Sequence, residues 1–364
     1  MDFQKEYQDM FSKVTASRET HRRIEHMAMG KYQRKRNGSG IIGKVLVAAV
    51  IVSLLAVTAS AATNGWFTKY FSGRGERPLS EGQVKYIEEN EQTIGDSQNA
   101  GGWTVELSSA ISDSMKGYVT LRFTAPADVD LEGITDGSEY VGPRNEFLPK
   151  DEDTALSSDA YPDLPGVIAN IGSKWVADGD GLKNTATWVL DISPDVEWAK
   201  GDPMASDTKW HIHLVDFVKG FPEQETLAEG TWDFDFTFNK DDSEVSLLDS
   251  PRKTQALGLR GNGEDIMTDV TMVSATLRPF GLTIYYGDES DELDYSRDSV
   301  AFAEGKDGRY PWYAVMKDGQ KVALINRGGN PIERYAYLEA ETPLVLSEVD
   351  YVLLADGTKL PMPD

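Results

Sequence analysis

The order of apolar and polar positions divides the chain into stretches of different period. Near the N-terminus Phe3, Tyr7, Met10, Phe11 and Val14 recur at helical spacing, and after Thr15-Ala16-Ser17 a second set, Ile24, Met27, Ala28 and Tyr32, does the same. Two short amphipathic helices are therefore expected in a stub over residues 1–40, with Ser17 as N-cap of the second and Glu19 in its first turn. Residues 41–62 read IIGKVLVAAVIVSLLAVTASAA, with Lys44 as the one charge. As a helix this stretch reaches about 33 Å, enough for a hydrocarbon core of roughly 30 Å, and Lys44 is near enough to one end to snorkel. Residues 63–92 predict a stalk whose rings Trp66, Phe67, Tyr70 and Phe71 anchor at the membrane interface, followed by a short helix with Ser80 and Gln83 at capping-box spacing.

From about Thr93 the period becomes two. Trp103, Val105 and Leu107 alternate with polar residues, as do Val119, Leu121 and Phe123, then Trp188, Leu190 and Ile192. The clearest strand interleaves Trp232, Phe234, Phe236 and Phe238 with Asp233, Asp235 and Thr237, one aromatic face and one acidic face. Asp249-Ser250-Pro251 interrupts the pattern, and a second block follows with Leu282, Ile284 and Tyr286 in alternation and hairpins expected around Asp318-Gly319 and Asp356-Gly357. Many short strands separated by turns predict a mainly β protein: two antiparallel β-sandwich domains over residues 93–248 and 250–364, besides the helical stub and the apolar segment. The Gly-, Asp- and Pro-rich stretch from Asp128 to Gly181 reads as a loop excursion from the first sandwich.

Charge adds topology to this picture. The whole chain carries -24, yet residues 1–40 hold nine basic and five acidic residues, +4, while the chain other than these and Lys44 carries -29. Lys31, Arg34, Lys35 and Arg36 precede the apolar segment, which places the N-terminus in the cytoplasm and the sandwiches outside the cell membrane, as a single-pass anchor. Ala59-Ser60-Ala61 also fits a signal-peptidase site, but the roughly 40 residues before the apolar run exceed the about 15–30 of a whole signal peptide. The acidic outer part argues against nucleic acid as a partner. With no Cys there is no disulfide framework, thiol nucleophile or thiolate metal site.

Candidate chemistry is sparse. His211 and His213 share one face of a strand and could ligate a metal with help from Asp233 or Asp235, although two histidines on a solvated sheet face need no ligand. Asp178-Gly179-Asp180-Gly181 starts like a calcium loop, but Leu182 stands where an oxygen ligand belongs. The acidic run Asp288, Glu289, Asp291, Glu292 and Asp294 reads as a hydrated loop, and Asn330-Pro331 as a turn. No G-x-S-x-G, H-E-x-x-H or P-loop occurs, so no catalytic residue, cofactor or resident metal is expected and the chain reads as non-enzymatic.

A family resemblance follows from the order of these parts. The stub with FSKVTASRETHRRI, the membrane segment, Ile94-Gly95-Asp96 and WTVELSSAISDSMKGYVTLRF at 103–123 resemble bacterial single-pass proteins that carry domain of unknown function 4179. VSATLRPFGLTIYY at 273–286 and VDYVLLADGTKLPMP at 349–363 are similar to the immunoglobulin-like domain that often follows it. The resemblance implies a membrane-bound anti-sigma factor of the Gram-positive kind, a signal-transduction protein whose stub holds a sigma factor while the extracytoplasmic part senses or gates. It transfers no functional residue, and the ligands of the zinc-containing anti-sigma class are missing. The residues agree to this extent: two helices of about 12–15 residues cannot bury their stripes against each other, so Phe3, Tyr7, Met10, Phe11, Val14, Ile24, Met27 and Tyr32 become candidate partner contacts. The anionic inner leaflet is the other surface that would cover them. The competing expectation is a surface-anchored wall- or glycan-binding adhesion module, which would need exposed aromatics at Trp175, Trp198 or Trp312.

Overall fold

The computed structural model describes residues 65–364 apart from 76, 132–146, 150–154, 159–168, 177–180, 195–201, 220–224, 260–264, 288–298, 302–311, 331–333 and 364. The stub, its eight candidate partner contacts and the apolar segment 41–62 lie outside the described residues, and among the described ones no helix is long and apolar enough to cross a membrane. Gly65–Asp364 is one compact unit, mainly β, with antiparallel sheets.

Two helices lead in, α1 (Trp66–Ser72) and α2 (Glu81–Asn90). Ser80 caps α2 as its spacing predicts: the Ser80 Oγ accepts from Gln83 N at 3.1 Å, and Gln83 Oε1 accepts from Ser80 N at 2.9 Å. The first body then contains β1 (Gln92–Ala100), β2 (Trp103–Ser112), β3 (Gly117–Thr124), β4 (Phe147–Pro149), β5 (Ala155–Ser158), β6 (Ala169–Val176), β7 (Thr185–Pro194), β8 (Trp210–Lys219) and β9 (Glu225–Phe236). One sheet runs β1-β2-β3-β7-β6, with Gly101 and Gly102 both at positive φ (58° and 81°) in the two-residue turn between β1 and β2. The other has β8 at its centre, paired with β9 along one edge and with β4 and β5 along the other. Trp103, Leu121 and Trp188 from the first sheet share a core with Trp210, Trp232 and Phe234 from the second. Asp233 and Asp235 stay exposed while Trp232, Phe234 and Phe236 are buried, the alternation read from the sequence. Gln98 closes the edge of β9 from β1: its Oε1 accepts from Asp233 N at 2.9 Å and its Nε2 donates to Asp233 O, so a side-chain amide stands in for a neighbouring strand.

The second body contains β10 (Val245–Ser246), β11 (Arg252–Leu259), β12 (Asp265–Arg278), β13 (Gly281–Gly287), β14 (Ser299–Ala301), β15 (Trp312–Met316), β16 (Lys321–Asn330), β17 (Tyr335–Ala340), β18 (Val349–Leu353) and β19 (Lys359–Pro361). These form one continuous hydrogen-bonded sheet, ordered β14-β11-β12-β13-β17-β16-β15-β18-β19 with β10 on β12. In a flat sheet β14 and β16, five steps apart, would be separated by about 24 Å, yet their Cα atoms approach within 8 Å. The sheet therefore curls around its core, in which Met272, Ile284, Trp312, Leu338 and Val352 are buried. Both Asp-Gly hairpins form as their sequence predicts: Gly319 and Gly357 take φ of 86° and 82°, and Asp318 and Asp356 each accept the N–H two residues on at 2.8 Å.

The stalk expectation is corrected. Trp66, Phe67 and Phe71 are no more than 1 % exposed, because their apolar rings gain more from burial against the β bodies than from an interfacial position. The first described residues of the chain are thus part of the core.

Candidate functional site

Helix α1 is short and aromatic, WFTKYFS, and its N-cap Gly65 sits in a left-handed conformation with no side-chain cap. Seven residues cannot sustain a helix by themselves, so tertiary contact maintains it. The contact surface comes from both bodies. Ile111, Tyr118 and Val189, on the face of the β2-β3-β7 sheet turned away from its own core, supply one side, and Phe280 in the β12–β13 turn supplies the other. Phe71 stacks on Phe280 with centroids 5.9 Å apart and meets Tyr118 edge-on at 5.0 Å.

Around this aromatic wedge four charges converge. Arg74, just past α1, donates from its guanidinium to Glu339 Oε1 of β17 at 2.6 Å and to Tyr70 Oη at 3.1 Å, and lies 3.7 Å from Asp191 of β7. Lys116, in the turn between β2 and β3, pairs with Asp191, lies 3.5 Å from Glu339 Oε2 and donates to Ser193 Oγ at 2.7 Å. Tyr118 donates to Glu339 Oε1 at 2.9 Å. Lys116 and Glu339 are buried, and the Arg74 and Asp191 side chains keep only 12 % and 13 % of their surface. A second tie joins the bodies beside it: Phe280 N donates to Asp113 Oδ2 at 2.9 Å, and Tyr337 donates its hydroxyl to Phe280 O at 2.9 Å. Gln83 of α2 reaches Thr342 Oγ1 and Pro343 O at 2.9 and 2.7 Å.

Burial dominates the electrostatics. It works against the charge on Arg74, but Tyr118, Glu339, Tyr70 and Asp191 more than reverse this and hold the guanidinium firmly protonated. Asp191 is pushed up by burial, with Lys116 pulling it back. Burial likewise raises Tyr70, Tyr118 and Tyr337, which keep their protons; Tyr118 and Tyr337 donate theirs, while Tyr70 accepts from Arg74. Asp113 is driven to about 6 by burial, against the backbone N–H groups of Met115, Phe280 and Lys116 that favour its charged form. Two cations and two carboxylates balance here, and removing one leaves its partners unpaired out of water. The arrangement makes α1, the first body and the second body depend on one another.

Sequence reasoning did not single out Arg74, Lys116, Asp191 or Glu339. The partners Arg74 and Glu339 are 265 residues apart, and no local spacing signals their meeting. One weak sign was present: Asp191 interrupts the apolar run WVLDI of a buried strand. Of the residues that were singled out, His211 and His213 meet Asp235 and Asp233 on the outer face of β8 and β9. Trp312 is buried, whereas Trp198 and the side chain of Trp175 lie outside the description, as do Asp178 to Asp180 and the acidic run 288–294.

No family model and no curated protein matches the chain. A solved structure, the crystal structure of a conserved domain protein from Bacillus anthracis, is similar at 12 % identity and a TM-score of 0.43, covering 77 % of this chain and 80 % of that one. A likeness of that degree carries no inference about this chain.

Proposed function

We propose that the protein is a non-enzymatic, single-pass membrane regulator of the anti-sigma type, with its N-terminus in the cytoplasm and its β bodies outside the cell. In this reading the bodies are sandwiches, the second immunoglobulin-like, and the stub over residues 1–40 holds a sigma factor through Phe3, Tyr7, Met10, Phe11, Val14, Ile24, Met27 and Tyr32. The observation that supports it is the position of α1. The helix begins four residues after the apolar segment 41–62 ends, and its rings are buried between two bodies that also share the Arg74–Glu339 pair. An anchor that merely displays a domain needs a compliant tether. A chain whose exit from the apolar segment is locked into the outer domains is built instead to pass a displacement of those domains along the backbone, since opening the junction removes the contacts that keep α1 helical.

The test is co-purification of the full-length protein with an extracytoplasmic-function sigma factor from its own cells. Phe11→Asp and Ile24→Asp should each weaken capture, because each places a charge in the proposed apolar contact. A full-length protein that recovers no sigma factor at any stage would end this reading. The adhesion alternative lacks support from Trp312, which is 1 % exposed.

A further inference from the structure

Each β body buries a core of its own, and the two cores share no residue. The chain passes between them once, through 237–244, where Phe238 still belongs to the first core. Bodies joined by one short connection and lacking a common core turn about it unless something else fastens them. Among the described residues, direct ties gather at one corner, with the α1 rings packed into it. There Phe280 N donates to Asp113, Tyr118 meets the Phe280 ring, and Lys116 and Tyr118 reach Glu339. Asp241 N also donates to Ser112 O at 2.8 Å, which holds the connection to the end of β2. Contact at a corner leaves a rotation open.

Helix α2 crosses this hinge. Its ten residues make it about 15 Å long, and its two ends hold different bodies. Just past the C-terminal end, the Glu91 carboxylate accepts from Ser109 Oγ of β2 at 2.6 Å. In the middle, Ile87 is buried with Ile111, Tyr118 and Val189 of the first body, and Tyr86 donates to Asp241 Oδ2 of the connection at 3.0 Å. At the N-terminal end Gln83 donates to Thr342 Oγ1 and Pro343 O of the second body. Gly82 lies so close to that body that a Cβ there would run into the Glu348 carboxylate. Glu348 thus faces the first turn of α2, where the partial positive charge of the helix end favours it. The grip on the first body includes a fully buried apolar side chain, whereas the clasp on the second is polar and its Glu348 only half-buried, so the second end yields first. We propose that α2 is a strap across the hinge: fastened through Gly82, Gln83 and Glu348 it fixes the angle between the bodies, and released there it lets the second body turn about the Asp113–Phe280 corner. The strap concerns the β bodies alone, so it stands or falls apart from the identity of any cytoplasmic partner.

The chain has no Cys, so nitroxide labels at Leu182→Cys in the first body and Val273→Cys in the second, both exposed positions, report one inter-body distance. It is read by double electron–electron resonance on the full-length protein in detergent micelles. Gly82→Glu sets a second carboxylate against Glu348, and Gly82→Arg sets a cation of similar bulk there. The unsubstituted strap and Gly82→Arg should each give one narrow distance, while Gly82→Glu should raise the population at other distances about tenfold. Adding Glu348→Lys to Gly82→Glu should restore the narrow distribution. Helix stability alone predicts the reverse order, because a Glu in the first turn favours the helix and an Arg disfavours it. A Gly82→Glu distribution indistinguishable from that of the unsubstituted strap overturns the proposal. So does loss of near-ultraviolet circular dichroism in Gly82→Glu, since releasing a strap leaves both cores intact. Equal broadening in Gly82→Glu and Gly82→Arg, or no restoration by Glu348→Lys, overturns the place of Glu348 in the clasp.

Discussion

At the junction, Arg74 and Lys116 face Asp191 and Glu339 with at most 13 % of any of these side chains exposed. On the β8–β9 face, His211 and His213 face Asp235 and Asp233 with 36 to 72 % exposed. Both places put cation-capable groups against carboxylates across neighbouring elements at similar distances. What differs is water. In the junction each charge has given up hydration and depends on its partners and on Tyr118, so the network holds together as a whole or fails as a whole. On the open face water replaces any missing partner, so the same pairing adds little to stability. One kind of pairing thus serves as a structural interlock when buried and contributes little to stability when exposed.

The comparison is broken most severely by removing one buried charge. Glu339→Ala leaves Arg74 and Lys116 to share the one carboxylate of Asp191, an unbalanced buried charge, and should lower the unfolding free energy of the full-length protein by about 3–5 kcal/mol in a denaturant titration. Phe71→Ala, which empties the wedge without touching a charge, should cost a similar or slightly smaller amount, about 3–4 kcal/mol, and should expose α1 to limited proteolysis. The double variant Arg74→Met/Glu339→Leu leaves Lys116 and Asp191 as a balanced pair. It should therefore lose much less than the sum of its single variants.

A smaller effect appears with pH. Burial raises Glu106, opposite Arg122 in β2 and β3, from 4.5 to about 7. The folded state therefore binds this proton more tightly than the unfolded chain. The stability that it contributes is complete below about pH 4.5 and disappears as pH rises through about 7. Denaturation midpoints of the wild type should decline across that window, and Glu106→Gln should flatten the decline. Asp113 adds a similar slope between 3.8 and about 6. Smallest of all is Lys85→Ala, which breaks an i,i+4 pair with Glu89 that is 72 % and 64 % exposed: about 0.3–0.5 kcal/mol or less, and screened by salt. A loss near that for Glu339→Ala would show that the contrast between buried and exposed pairs does not hold in this protein.

Legibility in the sequence follows the range of the interaction. The alternation of Trp232, Phe234 and Phe236 with Asp233 and Asp235 is a two-residue pattern and appears as read. So do the capping box at Ser80 and the turns at Asp318-Gly319 and Asp356-Gly357, each settled within four residues. The histidine pairs were half legible. The i,i+2 spacing of His211 and His213 put both on one face, but that Asp235 and Asp233 would take their Nδ1 atoms depended on the β8–β9 register. The aromatic run from Trp66 to Phe71 was misread because an apolar ring next to an apolar segment suits a membrane interface and a protein core equally well.

By itself, then, the sequence determined the strands with clear two-residue alternation, such as 232–236, and where the Asp-Gly turns fall, because φ/ψ preference and side-chain alternation act over a few residues; it did not determine β4, β5 and β6, which form within the stretch 128–181 that reads as a loop excursion. It also determined the apolar stretch 41–62 and the change of charge across it. Only the tertiary structure decided that α1 is helical and buried, that the second body is one curled sheet, and that Arg74, Lys116, Asp191 and Glu339 meet. The physical reason is that a buried charge is tolerable only beside its partners, and those partners are brought within reach by the packing of whole sheets rather than by any spacing along the chain.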